Sequence, residues 1–215
     1  MISGTRTSLV AALLTITTTF ASAADPGTDA LLGRLARPAP ETTPFVEVRY
    51  SALLTEPLVV AGELEHRDDG ALVRRVLEPY RETTTLLGEN VTVERDGSRP
   101  RRFSLDRAPE LRGILNSFGA ILKGDRATLE QHFEIASSES ENAWRIDLVP
   151  RGDKLRARLA RVRVDGHADR ANCMTMEEPD GDATIMAIGV SDRGTLPLPP
   201  EREQLQSWCV QAGAR

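Results

Sequence analysis

The sequence predicts a mainly β (α+β) fold: an unclosed antiparallel β-barrel, or strongly curved sheet, of about 11 strands with an amphipathic helix covering its concave face. Two observations lead to it. Short runs of period-two hydrophobicity recur from Phe45 to Val190, separated by turn signals such as Asp69-Gly70, Asp96-Gly97 and Asp180-Gly181, the pattern of an antiparallel meander. Between Pro109 and Leu122 the apolar period changes to that of a helix.

Residues 1–23 read as a cleavable secretory signal. Arg6 supplies a positive n-region, Leu9 to Phe20 an apolar core, and Ala21-Ser22-Ala23 a small-x-small cleavage site before Ala24. The apolar stretch is shorter than the ~20 residues that span a bilayer. No cysteine stands directly after the cut to take a lipid, so the expected product is a soluble protein that works outside the cytoplasm. Residues 24–44 read as an N-terminal helix and linker: Leu31, Leu32 and Leu35 share a face, and Pro38-Ala39-Pro40 ends the helix.

Residues 45–192 then form the main domain. Phe45 to Ser51 alternates, with Val46, Val48 and Tyr50 on one face and Glu47, Arg49 and Ser51 on the other. Leu58–His66, Ala71–Leu77, Glu82–Leu87, Val91–Glu94 and Arg102–Leu105 follow as strands. The helix at 108–123 carries Leu111, Ile114, Leu115, Phe118, Ile121 and Leu122 as one apolar stripe, capped by Asp106 and opened by Pro109. A sheet that curls needs its concave face filled, and this stripe fits that place.

Strands resume at Phe133–Ser137, Ala143–Val149, Leu155–Val164, Arg170–Glu177 and Ala183–Val190. In Leu155–Val164 the apolar parity shifts near Ala160. A β-bulge explains the shift, and a helix through Leu155, Leu159 and Val162 is the competing reading. Residues 193–215 form a C-terminal tail: Pro197 to Pro200 breaks the structure and Glu201–Val210 is helical.

The formal net charge of −5 becomes −6 once Arg6 leaves with the signal, which argues against a nucleic-acid partner. Cys173 and Cys209 are the two cysteines; an oxidising compartment favours a disulfide between them, with two buried free thiols as the other reading. Catalytic patterns are missing. Gly189-Val190-Ser191-Asp192-Arg193 lacks the second glycine of a nucleophile elbow, no phosphate-cradling glycine loop is present, and His66, His132 and His167 are isolated. No metal or cofactor is expected, and the chain reads as a non-enzyme. Glu177-Glu178 and Asp180-Gly181-Asp182 fit a solvated hairpin tip better than a calcium loop. The arginines from Arg151 to Arg163 read as one solvated strand face, with a docking surface for an acidic partner or lipid headgroups as the functional alternative.

The order of elements resembles the outer-membrane lipoprotein carrier (LolA/LolB-like) family, in its divergent LolA-related branch. The residues that carry the resemblance are Phe45–Tyr50 with Leu58–Leu64, Arg67 through Pro79, the Pro109–Leu122 helix with Gly124-Asp125, and Trp144–Pro150. The resemblance implies a half-barrel that carries acyl chains of a lipoprotein, or an aryl polyene or fatty-acyl glycolipid, across the periplasm. It implies an inner-membrane donor, an outer-membrane acceptor and a monomeric carrier. The expected cavity residues are Val46, Val48, Val60, Leu64, Val91, Val93 and Ile146, and the expected lid residues Leu111, Ile114, Leu115, Phe118 and Leu122. Arg67 best matches the arginine that couples lid closure to release in the main carrier branch. The aromatic residues that usually follow that arginine are replaced by Ala71-Leu72-Val73-Arg74-Arg75. The alternative is a non-catalytic periplasmic adaptor that binds a protein partner of an envelope export system along an exposed sheet edge.

Overall fold

The computed structural model describes residues 26–107, 119–121, 123–197 and 200–212. Eleven antiparallel strands form a single open sheet in the order β6-β5-β4-β3-β2-β1-β11-β10-β9-β8-β7. They are β1 Glu41–Tyr50, β2 Leu58–His66, β3 Leu72–Glu78, β4 Glu82–Leu87, β5 Asn90–Arg95, β6 Arg101–Ser104, β7 Phe133–Ser140, β8 Ala143–Pro150, β9 Arg161–His167, β10 Arg170–Glu177 and β11 Ala183–Ile188. Two meanders, β1–β6 and β7–β11, are joined where β1 pairs with β11 from Phe45↔Ile188 to Tyr50↔Ala183. The sheet is therefore an unclosed barrel, with β6 and β7 as its edges.

Tight turns carry the meander. In the β2–β3 turn the Arg67 amide donates to the Ala71 carbonyl (2.9 Å) and the Gly70 amide to the Arg67 carbonyl (2.9 Å). Gly70 adopts φ +80 there, a conformation open to glycine at little steric cost.

Each face of the sheet carries its own core. The inner face bears the N-terminal helix Pro26–Leu35, whose Leu31, Leu32 and Leu35 pack with Phe133, Trp144, Ile146, Leu148, Val162 and Val164. Ala120 and Leu129, from the connection between β6 and β7, enter the same cluster. The short helix Arg126–Glu130 in that connection is N-capped by Asp125, which accepts from the Thr128 amide (3.1 Å) and hydroxyl (2.6 Å). Just before it, Gly124 (φ +66) lies so near the Leu32 carbonyl that a Cβ would sit 3.1 Å from that oxygen.

The outer face is covered by the C-terminal helix Arg202–Gln211. Its Leu205 and Cys209, with Leu196, pack on Val46, Val48, Ala61, Cys173, Ile185 and Ala187. Cys173 of β10 and Cys209 are joined by a disulfide.

Two sequence expectations are corrected. Leu155–Val164 is not one bulged strand: Asp153–Arg156 forms a short helix, and β9 starts only at Arg161. Leu155 and Leu159, four apart, both reach the inner core, so the parity shift at Ala160 marks a helix-to-strand change. Strand β1 begins at Glu41, ahead of the period-two run, because its first residues still pair with β2 from Glu41↔His66.

Candidate functional site

Cross-strand register decides which side chains share the inner face. From Phe45 the row runs through Gly62, Val76, Glu82 and Arg95 on one side and Ile188 on the other. A neighbouring row is Leu64, Arg74, Thr84, Val93 and Arg101, and the next is Leu72, Leu86, Val91 and Phe103. Gly62 is required where it stands: an added Cβ would collide with the Arg75 carbonyl and press on the Phe45 ring.

The two halves of this face differ. Over β7–β10 the apolar side chains meet the N-terminal helix, Ala120, Leu129, Leu155 and Leu159, and form a core. Over β1–β6, with Met186 of β11 included, two clusters lie side by side. One is Phe45, Val60, Val76 and Met186 with Leu58, Leu64 and Tyr80 against it; the other is Leu86, Val91 and Leu105 with Leu72 and Val93. Met174 belongs to the margins of both the β7–β10 core and the first of these clusters.

A charged group is built into the β1–β6 half. Glu47 is 2% exposed. Its carboxylate accepts from Arg49 Nε at 2.6 Å, and Arg74 Nη2 reaches both of its oxygens at 3.0 Å. The Arg74 guanidinium also lies over the Phe45 ring, 5.0 Å from its centroid. Burial works against the Arg49 charge, yet the Glu47 carboxylate and its hydrogen bond, with Tyr80 and Glu82 farther off, hold the guanidinium above its ordinary value. Next to this group Arg95 stacks on Tyr80, 4.4 Å from the ring centroid.

The expected cavity residues divide accordingly. Val60, Leu64, Val91 and Val93 stand together on the inner face of the β1–β6 half. Ile146 shares that face but lies within the core beneath the N-terminal helix. Val46 and Val48 do not line it; they point outward under the C-terminal helix. The cause is that β1 is buried on both faces from Phe45 to Val48, so the apolar parity alone could not tell the inner face from the outer one. The ion-paired Glu47 stands on the inner side that its charge argued against.

Arg67 sits in the β2–β3 turn and its Nε donates to Glu65 Oε1 at 3.2 Å. Arg75 reaches the other oxygen of Glu65 at 2.6 Å. Burial opposes the Glu65 charge, but the hydrogen bonds from Arg75 and Arg67 outweigh it and hold the carboxyl below its usual range. Leu111, Ile114, Leu115, Phe118 and Leu122 lie outside the described residues. Of the same segment, Ala120 is buried in the β7–β10 core, while a Cβ on Gly119 would meet Leu72 of β3 at 4.0 Å.

Sequence reasoning missed Phe45, Glu47, Arg49 and Arg74. The available signal was parity: a large aromatic residue at 45 shares its face with a Glu-Arg pair at 47 and 49, a pattern that suits an amphipathic lining as well as a solvated strand.

On the outer face, the arginines of β8 and β9 are spent in a cross-strand ladder. Arg145 pairs with Asp165 (2.7 Å), Arg163 with Asp147 (3.2 Å) and Arg161 with Glu177 (3.8 Å). A separate cavity of about 360 Å³ lies at one end of the sheet, between Ser51–Pro57 and the Asp180–Asp182 turn. No group of three or more His, Cys, Asp or Glu side chains among the described residues is placed to hold a metal ion, and no described helix is long and apolar enough to cross a membrane.

Residues 20–198 match the family model described as outer membrane lipoprotein carrier protein LolA-like. No curated protein matches the chain. Among solved structures, the chain is similar to the LolA superfamily protein NE2245 from Nitrosomonas europaea, at 8% identity over 76% of this chain and 90% of that one, with a TM-score of 0.42. It is similar to the Pseudomonas aeruginosa MucA/MucB complex structure at 14% identity over 84% of this chain and 60% of that one, with a TM-score of 0.37. The corresponding values for LprF from Mycobacterium bovis are 12%, 82%, 99% and 0.36.

Proposed function

The chain belongs to the outer membrane lipoprotein carrier protein LolA-like family, and from that premise we propose that it is a non-catalytic periplasmic carrier for a hydrophobic acyl ligand. The ligand is the acyl part of a lipoprotein or another lipid bound for the outer membrane, an aryl polyene or fatty-acyl glycolipid included. The observation that carries the reading is the inner face of the β1–β6 half. Val60 and Leu64, and beside them Leu72, Leu86, Val91 and Val93, place two apolar clusters on one face of an open sheet, with the partly buried Leu64, Leu72 and Val93 at their margins. Each methylene moved from water onto such a surface contributes ~0.8 kcal/mol. A chain held only along part of its length remains releasable, as a carrier requires. The stripe Leu111, Ile114, Leu115, Phe118 and Leu122 is the proposed lid, and Arg67, in the turn at the far end of β2, the proposed gating residue. A membrane donor and acceptor complete the proposal.

Native mass spectrometry of the protein purified from a periplasmic extract of its own host tests this. A stoichiometric adduct that releases an acyl or polyene lipid on organic extraction is the expected result. A clean apo mass, together with no uptake of an acyl fluorophore, overturns it.

The open sheet also favours a second reading. Strands β6 and β7 are its edges, and an edge strand can take an added strand from a protein partner. An adaptor of this kind would bind its partner with unchanged affinity when the inner face is made polar.

A further inference from the structure

One end of the β1–β6 inner face is cationic in a chain whose net charge is −5. Arg49, Arg74 and Arg95 stand there against two carboxylates of the same face, Glu47 and Glu82. Their donors are unequally spent. Arg74 grips Glu47 with one nitrogen, and Arg49 gives Glu47 only its Nε. Arg95 has no carboxylate within ion-pair distance among the described residues; it is held by the Tyr80 ring alone. Tyr80 in turn packs on the apolar cluster of Phe45, Val60, Val76 and Met186. Uncommitted guanidinium donors thus border directly on the surface proposed to hold the acyl chain.

We propose that this Arg49–Tyr80–Arg95 end of the inner face binds the anionic headgroup, a carboxylate or a phosphate, of the lipid whose chain lies along the β1–β6 half. The inference rests on the carrier reading and names its substrate class: an anionic amphiphile, as opposed to a neutral acyl chain. The chemistry is that of the guanidinium fork. Two parallel N–H donors match the spacing of carboxylate or phosphate oxygens. Glu47 has a place in this arrangement. By fixing Arg74 over Phe45 and the Arg49 Nε, it leaves the remaining donors of Arg49 presented in one orientation, so less rotamer entropy is lost when an anion arrives.

The test is displacement of an acyl fluorophore by palmitate, hexadecyl phosphate, hexadecanol and inorganic phosphate, on the wild type and on Arg49→Gln, Arg95→Gln and Arg95→Lys. The two anionic amphiphiles should bind about tenfold more tightly than hexadecanol, the effect of one charge-assisted hydrogen-bonded contact. Each glutamine variant should remove most of that preference and leave hexadecanol unchanged, and Arg95→Lys should restore part of it. Equal affinity for palmitate and hexadecanol, unmoved by the variants, overturns the headgroup site and leaves the carrier standing. Inorganic phosphate binding as well as hexadecyl phosphate, with hexadecanol not binding, assigns the site to free phosphate and overturns the lipid headgroup. If none of the three amphiphiles displaces the fluorophore while circular dichroism shows a folded protein, the carrier reading fails as well.

Discussion

Glu47 is the residue whose environment says most about the inner face. Its carboxylate is almost wholly enclosed, whereas Arg74 and Arg49 keep 20% and 40% of their side chains exposed. The two sides of the ion pair are therefore not equivalent. Removing Arg74 leaves an enclosed carboxylate with one partner, and breaking a buried pair in this way costs about 3 kcal/mol. Removing the charge of Glu47 leaves two arginines that can turn toward water. Arg74→Ala should accordingly lower the unfolding free energy in urea more than Glu47→Gln does. The opposite order would mean that Glu47 is hydrated in solution.

On the outer face Tyr50 supplies a pH-dependent contact at the same scale. Its hydroxyl donates to the Pro200 carbonyl at 2.8 Å and so ties β1 to the segment before the C-terminal helix. Burial pushes the phenol up to about 12, with Arg202 pulling it down and Glu201 pushing it up by smaller amounts. In the unfolded chain it titrates near ~10. Because the folded value is the higher one, the stabilisation is full below the unfolded value and is lost as pH rises through the folded one. The chain holds only two tyrosines, Tyr50 and Tyr80, and two lysines, Lys123 and Lys154. The alkaline limb should therefore be simple. Phenolate absorbance should show one late-titrating tyrosine, lost in Tyr50→Phe, and the variant's stability should fall less steeply above about pH 10. A late tyrosine that persists in Tyr50→Phe would transfer the assignment to Tyr80.

Among elements, the C-terminal helix depends most on a covalent tie. Its apolar contribution is small, with Leu205 and Cys209 its buried side chains. The disulfide to Cys173 closes 36 residues of sequence. On the chain-entropy model such a closure removes about 4 kcal/mol of unfolded-state freedom. The Cys173→Ser/Cys209→Ser double variant should thus lose about 3–4 kcal/mol in denaturant unfolding and free the C-terminal helix to early proteolysis. Unchanged stability would mean that the packing of Leu205 and Leu196 holds the helix unaided.

The elements also show where the sequence could be read and where it could not. Strands β4 and β10 fall on the expected residues, because each is a short run set between clear turn signals, Pro79 and Gly88 around one and Gly166 and Asp180-Gly181 around the other. Residues 153–160 did not, because Leu155 and Leu159 fit both a helix and a bulged strand until their common burial is seen. Strand β1 was found, but its faces were misassigned: alternation identifies a buried face only when the other face is solvated. Here the C-terminal helix covers one side and the inner cluster the other, a long-range fact carried by β1–β11 pairing and by no local pattern.

For the molecule as a whole, the inner face divides between holding the fold and, on the proposed reading, holding a ligand. Sequence periodicity could place Ile146, Val60, Leu64, Val91 and Val93 on apolar faces. It could not separate them, since the division depends on where the N-terminal helix docks. That helix lies over β7–β10 and makes Ile146 a core residue with no exposure. Ile146→Val should cost about 1 kcal/mol of stability, as methyl deletions in cores do, and leave acyl-fluorophore affinity unchanged. Leu64 and Val93 only flank their clusters and are partly exposed, so their truncation opens little new cavity. If the chain of the ligand crosses this half, Leu64→Ala and Val93→Ala should each weaken acyl binding several-fold, at ~0.8 kcal/mol per lost methylene contact, with smaller effects on unfolding. The two effects are read from separate titrations of the same proteins. A loss of affinity in Ile146→Val equal to that in Leu64→Ala would place the ligand beneath the N-terminal helix, and the helix would then have to move for every cycle of loading and release.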